Sequence, residues 1–296
     1  MPSEILNIIA PVFAVAGIGF FLEIRGIGFQ SESLTRLVML IGTPSLVFSS
    51  LTSTALPDDS LARAVAISSA AVLVAGALAL AALLVLRLNW RTFLPSLSLP
   101  NAGNAGLPIV YFAFAEPGLA VGAAFYFVIT LVQYTVAPAV VSGDPGLRKL
   151  LRLPLVWAVV AVLLFRITDL PVPTVVANVT ALLGGIMIPV MLILLGSALA
   201  RLKVDDLGTS ALLAGARLAV GVATGLALVA VFNLNGVEAG AIFLLSAMPS
   251  ALITYVIAEH HGRSPKRVAG LVVSSTVLNF ACLPLLIAAA IRLAGM

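Results

Sequence analysis

Leu99-Pro100-Asn101-Ala102-Gly103-Asn104-Ala105-Gly106-Leu107-Pro108 is the stretch on which the reading of this chain turns. It lies within a run that carries no charge from Thr92 to Ala115, long enough to cross a bilayer. Yet these ten residues hold two prolines, two glycines and two asparagines. Proline lacks an amide donor and its ring clashes with the preceding turn, while glycine loosens the backbone. In lipid, each freed backbone group costs several kcal/mol unless protein or a water-filled cavity satisfies it. The stretch therefore predicts two half-helices meeting at an unwound segment near the membrane midplane, with carbonyls, amides and Asn side chains facing a polar cavity. Binding sites of membrane carriers are built this way. A single proline would favour a plain kinked helix whose asparagines bond to neighbours; the cluster favours the break.

The surrounding chain is apolar throughout. Of its 296 residues 61% are hydrophobic and 9% charged, and the mean hydropathy is +1.18, beyond what a soluble domain of this size reaches. A polytopic protein of the lipid bilayer is implied. The single cysteine, Cys282, lies in an apolar run and forms no internal disulfide. Met1-Pro2-Ser3-Glu4 carries no basic segment, so the first apolar run reads as a retained helix rather than a cleaved signal. The net charge of +4 sits in loops, without a basic stripe interleaved with aromatics, which argues against a nucleic-acid partner. Walker loop, metal-ligand cluster and nucleophile elbow are all missing from the sequence, so no cofactor, metal site or catalytic residue is expected and the chain does not read as an enzyme.

Apolar runs between charged or turn-rich breaks give ten spans, at roughly 5–23, 32–52, 62–86, 92–115, 118–141, 151–168, 174–200, 207–232, 237–259 and 267–293. The loop Ser142-Gly143-Asp144-Pro145-Gly146 divides the chain near its middle, into residues 1–147 and 148–296. Loops after odd-numbered spans hold twelve basic residues, among them Arg25, Arg91, Lys149, Arg201, Lys203 and Arg263; the other side holds Arg63, Arg166 and Arg292. The positive-inside rule puts the twelve in the cytoplasm and both termini outside.

The two halves echo each other. Asp58-Asp59 recurs as Asp205-Asp206, Pro44 as Pro189, Pro138 as Pro284, and Leu99-Pro100-Asn101 as Met248-Pro249-Ser250, all at offsets of 145 to 149. Five spans per half is an odd number, so the halves are inverted relative to each other. Inverted repeats with broken helices at matching positions indicate alternating access. The expected fold is thus all-α: ten transmembrane helices in two inverted five-helix repeats, with two crossed broken helices at Pro100–Pro108 and at Pro249.

The Pro-Asn-x-Gly-Asn-x-Gly-x-Pro pattern from Pro100 to Pro108, the later Met248-Pro249-Ser250, the ten spans and the outward termini together resemble the auxin efflux carrier family, over the whole chain. Bacterial members are similar to the plant PIN proteins but lack their long loop between spans five and six. Ser250 here stands where a plant PIN more often has an Asn-rich stretch. The resemblance implies a multi-pass protein of the bacterial inner (plasma) membrane, with a fold related to the bile acid/sodium symporters. In that fold spans 1, 2, 6 and 7 form a scaffold, spans 3–5 and 8–10 form a mobile transport domain moving as an elevator, and a homodimer through the scaffold helices fits the arrangement. It also implies small organic anions as substrates: auxin-like weak acids, malate or malonate. A sodium- or proton-coupled symporter of the bile-acid type is the competing expectation.

Asn101 and Asn104 are the strongest candidates for substrate contact, since each carboxamide offers two donors and an acceptor. Gly103 lies between them. Pro108 suits the first turn of the second half-helix, whose N-terminal dipole favours an anion, and Pro249 and Ser250 offer the same from the other side. Arg217 lies about ten residues into span eight, ~15 Å deep at 1.5 Å per residue, where a charge is costly and usually functional. It can attract an anion or replace a cation site; the alternative is a structural role, pairing with helix carbonyls or a terminal carboxylate, or snorkelling if span eight starts later. Gln133 in span five and Asn279 in span ten stand out from the Ser and Thr residues near them, which mostly bond their own backbone. Gly221-x-x-x-Gly225 and Gly236-x-x-x-Gly240 permit close helix packing. His260-His261 reads as a solvated pair at a span end. All twelve acidic residues lie near span ends, so no mid-membrane carboxylate is offered to a proton relay or sodium site.

Overall fold

The fold is known from a computed structural model, which describes residues 2–27, 31–53, 58–143, 147–201 and 206–296. Asp144-Pro145-Gly146, Lys203 and Asp205, used above for the midpoint, the charge bias and the repeat, lie outside the described residues.

Among the described residues every element is helical apart from one isolated bridge. Helix α1 (Pro2–Ile24) is followed by α2 (Ser31–Leu37), a π-helical turn over Val38–Gly42, and α3 (Thr43–Ser53) with Pro44 in its first turn. Next come α4 (Asp58–Val85) and the short α5 (Trp90–Ser98), which starts where the Asn89 side chain accepts from the Thr92 amide at 3.3 Å. Helix α5 stops at Pro100; the chain resumes with a π-helical turn over Ala102–Gly106 and α6 (Leu107–Tyr134). Within α6 the chain turns at Ala115 (φ 52°, ψ −148°), just ahead of Glu116-Pro117, so two helical segments meet there. Helix α7 (Val136–Ser142) closes on the left-handed Gly143. A 3-10 turn (Leu147–Arg152), α8 (Pro154–Ile167), α9 (Thr174–Gly185), α10 (Met187–Arg201), α11 (Leu207–Val231), α12 (Gly236–Ala247), α13 (Ile253–His260) and α14 (Pro265–Leu293) complete the chain.

Outward faces are as apolar as the core. Leu6, Ile18, Leu73, Leu84, Leu164, Val175, Leu182 and Leu285 are all exposed, whereas the outer face of a soluble helical protein is polar. Seven helical stretches among the described residues are long and apolar enough to cross a membrane: 4–24, 33–53, 62–85, 102–142, 174–201, 207–231 and 265–293. The chain is therefore a multi-pass membrane protein. The number differs from the ten expected for three local reasons. The helices around Pro100 and Pro249 are interrupted, so α5 and α12 fall short. Helix α8 is a short apolar segment. And 102–142 is one helical stretch that bends at Ala115.

Packing joins α1 to α10, and α3 to α8 and α9. Helix α11 packs on α4, α12 and α14, and α12 packs on α6, which in turn touches α1 and α3. The closest of these approaches explains the first glycine pair. A Cβ on Gly221 would stand 2.5 Å from the Ser246 carbonyl oxygen, and one on Gly225 3.0 Å from Phe243 Cα, so only glycine lets α11 lie against the end of α12. Of the second pair, Gly240 faces Ala290 and Phe114, while Gly236 has nothing within 4 Å and serves instead at φ +58°.

Candidate functional site

The two interrupted helices meet. Pro100 and Ser250 form an antiparallel bridge, with the Asn101 amide donating to the Pro249 carbonyl at 2.8 Å and the Ala251 amide to the Leu99 carbonyl at 3.1 Å. Each break thus pairs the backbone that the other break frees, as burial in an apolar medium requires.

The remaining carbonyls at the ends of α5 and α12 find a side chain. Arg217, on α11 and 1% exposed, donates from Nη1 to Leu97 O at 3.0 Å and from Nη2 to Ser246 O at 3.0 Å and Met248 O at 2.8 Å. One guanidinium therefore holds the C-terminal ends of both broken helices, where the helix dipole is negative. Asn279 Nδ2 takes the Ala247 carbonyl at 2.7 Å. The Ser250 amide donates to Ser275 Oγ at 3.1 Å, and Ser96 Oγ donates to Thr254 Oγ1 at 2.9 Å, tying α5 to α13.

On the other side of the crossing lies a cavity of about 310 Å³. That is room for a small molecule, near the lower end of the ~300–1,000 Å³ usual for ligand pockets. It faces the starts of both second half-helices: Asn101, Gly103 and Asn104 at one, Ala251, Leu252 and Ile253 at the other. Helix starts carry positive partial charge and favour anions. Its walls are Val38, Met39, Met191, Leu194 and Val256, and it reaches Tyr134, Tyr255, Ser197 and Arg201 near the helix ends.

Four of the candidate residues come together here: Asn101, Gly103, Asn104 and Gln133. They differ in what holds them. Asn101 Oδ1 accepts from the Asn104 amide at 3.2 Å, capping the turn that restarts the helix. The Asn104 and Gln133 carboxamides, by contrast, have no hydrogen-bond partner among the described residues. Gly103 leaves room for the Tyr126 ring, whose edge would stand 2.8 Å from a Cβ. Arg217, Ser250 and Asn279 do not line the cavity; they sit in the buried crossing. Pro100 and Pro249 are in the bridge, and Pro108 is in the first turn of α6. Of the two alternatives for Arg217, pairing with helix carbonyls is the one its geometry displays.

Sequence reasoning passed over Thr35, Met39, Tyr126, Ser197 and Arg201. Tyr126 and Met39 carry no signal in an apolar run. Arg201 does: it is a basic residue at a span end with an acidic counterpart, Glu23, at another.

Comparison with known proteins gives two matches. The family model described as membrane transport protein matches residues 139–287, just over half of the chain. An uncharacterized transporter of Methanothermobacter thermautotrophicus is 26% identical over 293 residues, covering 93% of this chain and 94% of that relative.

Proposed function

The chain belongs to the membrane transport protein family, that of the auxin efflux carriers, and from that premise we propose that it is a secondary carrier of small organic anions working by alternating access. Carboxylates are the favoured class: auxin-like weak acids, malate or malonate. The observation that carries this reading is the pair of unpartnered carboxamides, Asn104 and Gln133, on the wall of a cavity that faces two helix starts. Amide donors and positive dipole ends suit a carboxylate, and the apolar walls suit its carbon body.

In this proposal the chain crosses the bilayer ten times as two inverted repeats, residues 1–147 and 148–296, with both termini outside the bacterial inner membrane. Helices α1–α3 and α8–α10 form the scaffold, and the rest, with the crossing at its centre, moves as an elevator. That α1 packs chiefly on α10, and α3 chiefly on α8 and α9, supports that division. Arg201 lines the cavity and closes a helix end that the basic loops assign to the cytoplasm, which supports reading this conformation as reached from inside. Ser3→Cys and Gly295→Cys in a Cys282→Ala background would then react with an impermeant thiol reagent from outside.

The deciding experiment is counterflow in proteoliposomes. Labelled indole-3-acetate, benzoate, malonate and malate are each tested for uptake driven by the same unlabelled compound trapped inside. Saturable counterflow of at least one of them is expected. Flux of none of them removes the anion reading, and flux that needs a sodium or proton gradient replaces it with the coupled symporter.

A further inference from the structure

The cavity is also lined by a charged group, Arg201, that is paired with a carboxylate outside it. Arg201 closes α10, and Glu23 sits one residue from the end of α1. Arg201 Nε lies 2.6 Å from Glu23 Oε1, and its Nη2 donates to Oε2 at 2.7 Å. Ser197, one turn earlier on α10, donates its hydroxyl to the same Oε2 at 2.7 Å. The carboxylate is thus gripped by a guanidinium fork and a hydroxyl, the geometry in which charged hydrogen bonds are strongest. Arg201 and Ser197 line the cavity and Glu23 does not. The arginine side chain is 43% exposed and the glutamate 18%, so the cation faces the cavity mouth and its partner stands behind it.

The frame that carries this pair is tight. Gly19 on α1 lies against the Ile193 carbonyl and Gly196 on α10 against the Ala16 carbonyl, with no space for a Cβ at either. The backbones that carry Arg201 and Glu23 are therefore held at a fixed spacing, so an exchange of partners at the pair is a matter of side chains alone. Asn104 and Gln133 line the same cavity, as do the apolar Met39, Met191 and Leu194.

We propose that Arg201 is the residue on which an entering carboxylate docks, and that Glu23 is its resident competitor. The inference rests on the anion-carrier reading above. A ligand carboxylate takes over the guanidinium fork that Glu23 occupies in the empty cavity, while Ser197 retains the displaced glutamate. Because the Glu23 carboxylate already occupies and neutralises the Arg201 fork, a spherical inorganic anion gains little at this position. A planar carboxylate can match the fork in two hydrogen bonds and lay its apolar body on the cavity wall, so it competes where chloride does not. Glu23 then acts as a specificity residue that never touches the ligand.

The test uses the purified full-length protein and benzoate as the probe, read as the half-saturating concentration for thermal stabilisation in chloride-free buffer, with added chloride as competitor. Arg201→Gln should raise the half-saturating concentration about tenfold, and Arg201→Lys should recover part of the loss. Glu23→Gln should lower it about threefold to tenfold and make it sensitive to chloride, to which wild type is indifferent. The double variant Glu23→Gln/Arg201→Gln should match Arg201→Gln in benzoate response. A purely structural ion pair predicts instead that both single variants lose melting temperature, the double regains it, and benzoate response is the same in all. Equal response in all four proteins, including none at all, overturns the docking role. If the Arg201 dependence holds while wild type carries none of the four acids in counterflow, the docking role stands and the carrier reading falls.

Discussion

The amide of Asn101 donates to the carbonyl of Pro249 at 2.8 Å, so the residue after one helix-breaking proline is bonded to the other proline itself. The reciprocal bond from Ala251 to Leu99 makes the crossing a two-bond ladder in an otherwise helical protein. Its consequence is division of labour. Backbone groups freed by the prolines are consumed in the crossing, and the cavity beyond it is left with two carboxamides, Asn104 and Gln133, that bond nothing among the described residues. The predictions below follow from which residues lie on each side of that line.

Arg217 lies on the structural side. Removing its guanidinium leaves the carbonyls of Leu97, Ser246 and Met248 without their donor in a buried site. Arg217→Gln should lower stability by about 3 kcal/mol or more, seen as loss of monodisperse protein and a lower melting temperature. Arg217→Lys should rescue only in part, since one ammonium cannot reproduce the planar fork. A well-folded Arg217→Gln protein whose apparent Km rises more for malonate than for benzoate would instead make Arg217 a direct Coulombic contact.

Asn104 and Asn101 should separate. The Asn104 carboxamide bonds nothing among the described residues, so Asn104→Ala should keep the wild-type melting temperature and lose transport by tenfold or more. Asn101→Ala removes the cap on the Asn104 amide and should cost about 1 kcal/mol of stability. Gln133→Leu should follow Asn104, with transport lost and folding kept. Measuring counterflow and melting curves on the same preparations checks all three; wild-type flux in Asn104→Ala would remove it from the site.

How far the sequence could be read depended on whether a feature had a covalent signature. Pro100 and Pro249 announce their breaks because a missing amide is written in the residue type. Pro44 and Pro189 likewise follow local departures from α geometry, the π turn before Thr43 and the interruption at Ile186. Pro138 sits beside the kink at Thr135, yet its counterpart Pro284 lies within an uninterrupted α14, so matching prolines did not produce matching shapes. Arg217 was legible as a deep charge, but its partners are backbone carbonyls, which every residue has and no sequence marks. Arg201 was legible only as a loop charge. That the cavity extends to it depends on how the end of α10 faces α13, a relation between elements distant in the chain.

The contact of α11 with the second break gives a sharp comparison within one helix. Gly221→Ala would place a Cβ 2.5 Å from the Ser246 carbonyl oxygen, itself one of the three that Arg217 holds, whereas Gly215 has nothing within 4 Å. Alanine is a better helix former than glycine by about 1 kcal/mol. Gly215→Ala should therefore be neutral or stabilising, and Gly221→Ala should destabilise and lose transport. If both raise the melting temperature, α11 does not set the position of the crossing.

The last prediction concerns what drives the cycle. The charged side chain deep in the crossing is Arg217, and it is already committed to three carbonyls; the sequence puts the acidic residues near the ends of the ten expected spans, a pattern that offers no mid-membrane carboxylate to carry a proton or sodium with the substrate. An inside-negative potential is enough by itself for export. A monovalent anion leaving such a cell gains roughly 2.3 kcal/mol per 100 mV, close to a 50-fold concentration ratio at equilibrium. Export of a carboxylate should therefore be electrogenic and uncoupled. Proteoliposomes loaded with labelled carboxylate, under a potassium–valinomycin potential and with neither a sodium nor a proton gradient, should release it faster when the interior is negative and more slowly when the potential is inverted. Arg217 carries a fixed charge in every state, so this dependence should survive in any Arg217→Lys protein that folds. Flux that ignores the potential, or that appears only when a cation gradient is imposed, would mean that an ion travels with the substrate, and the hydroxyls buried at the crossing, Thr224, Ser246 and Ser250, would be the first places to look for it.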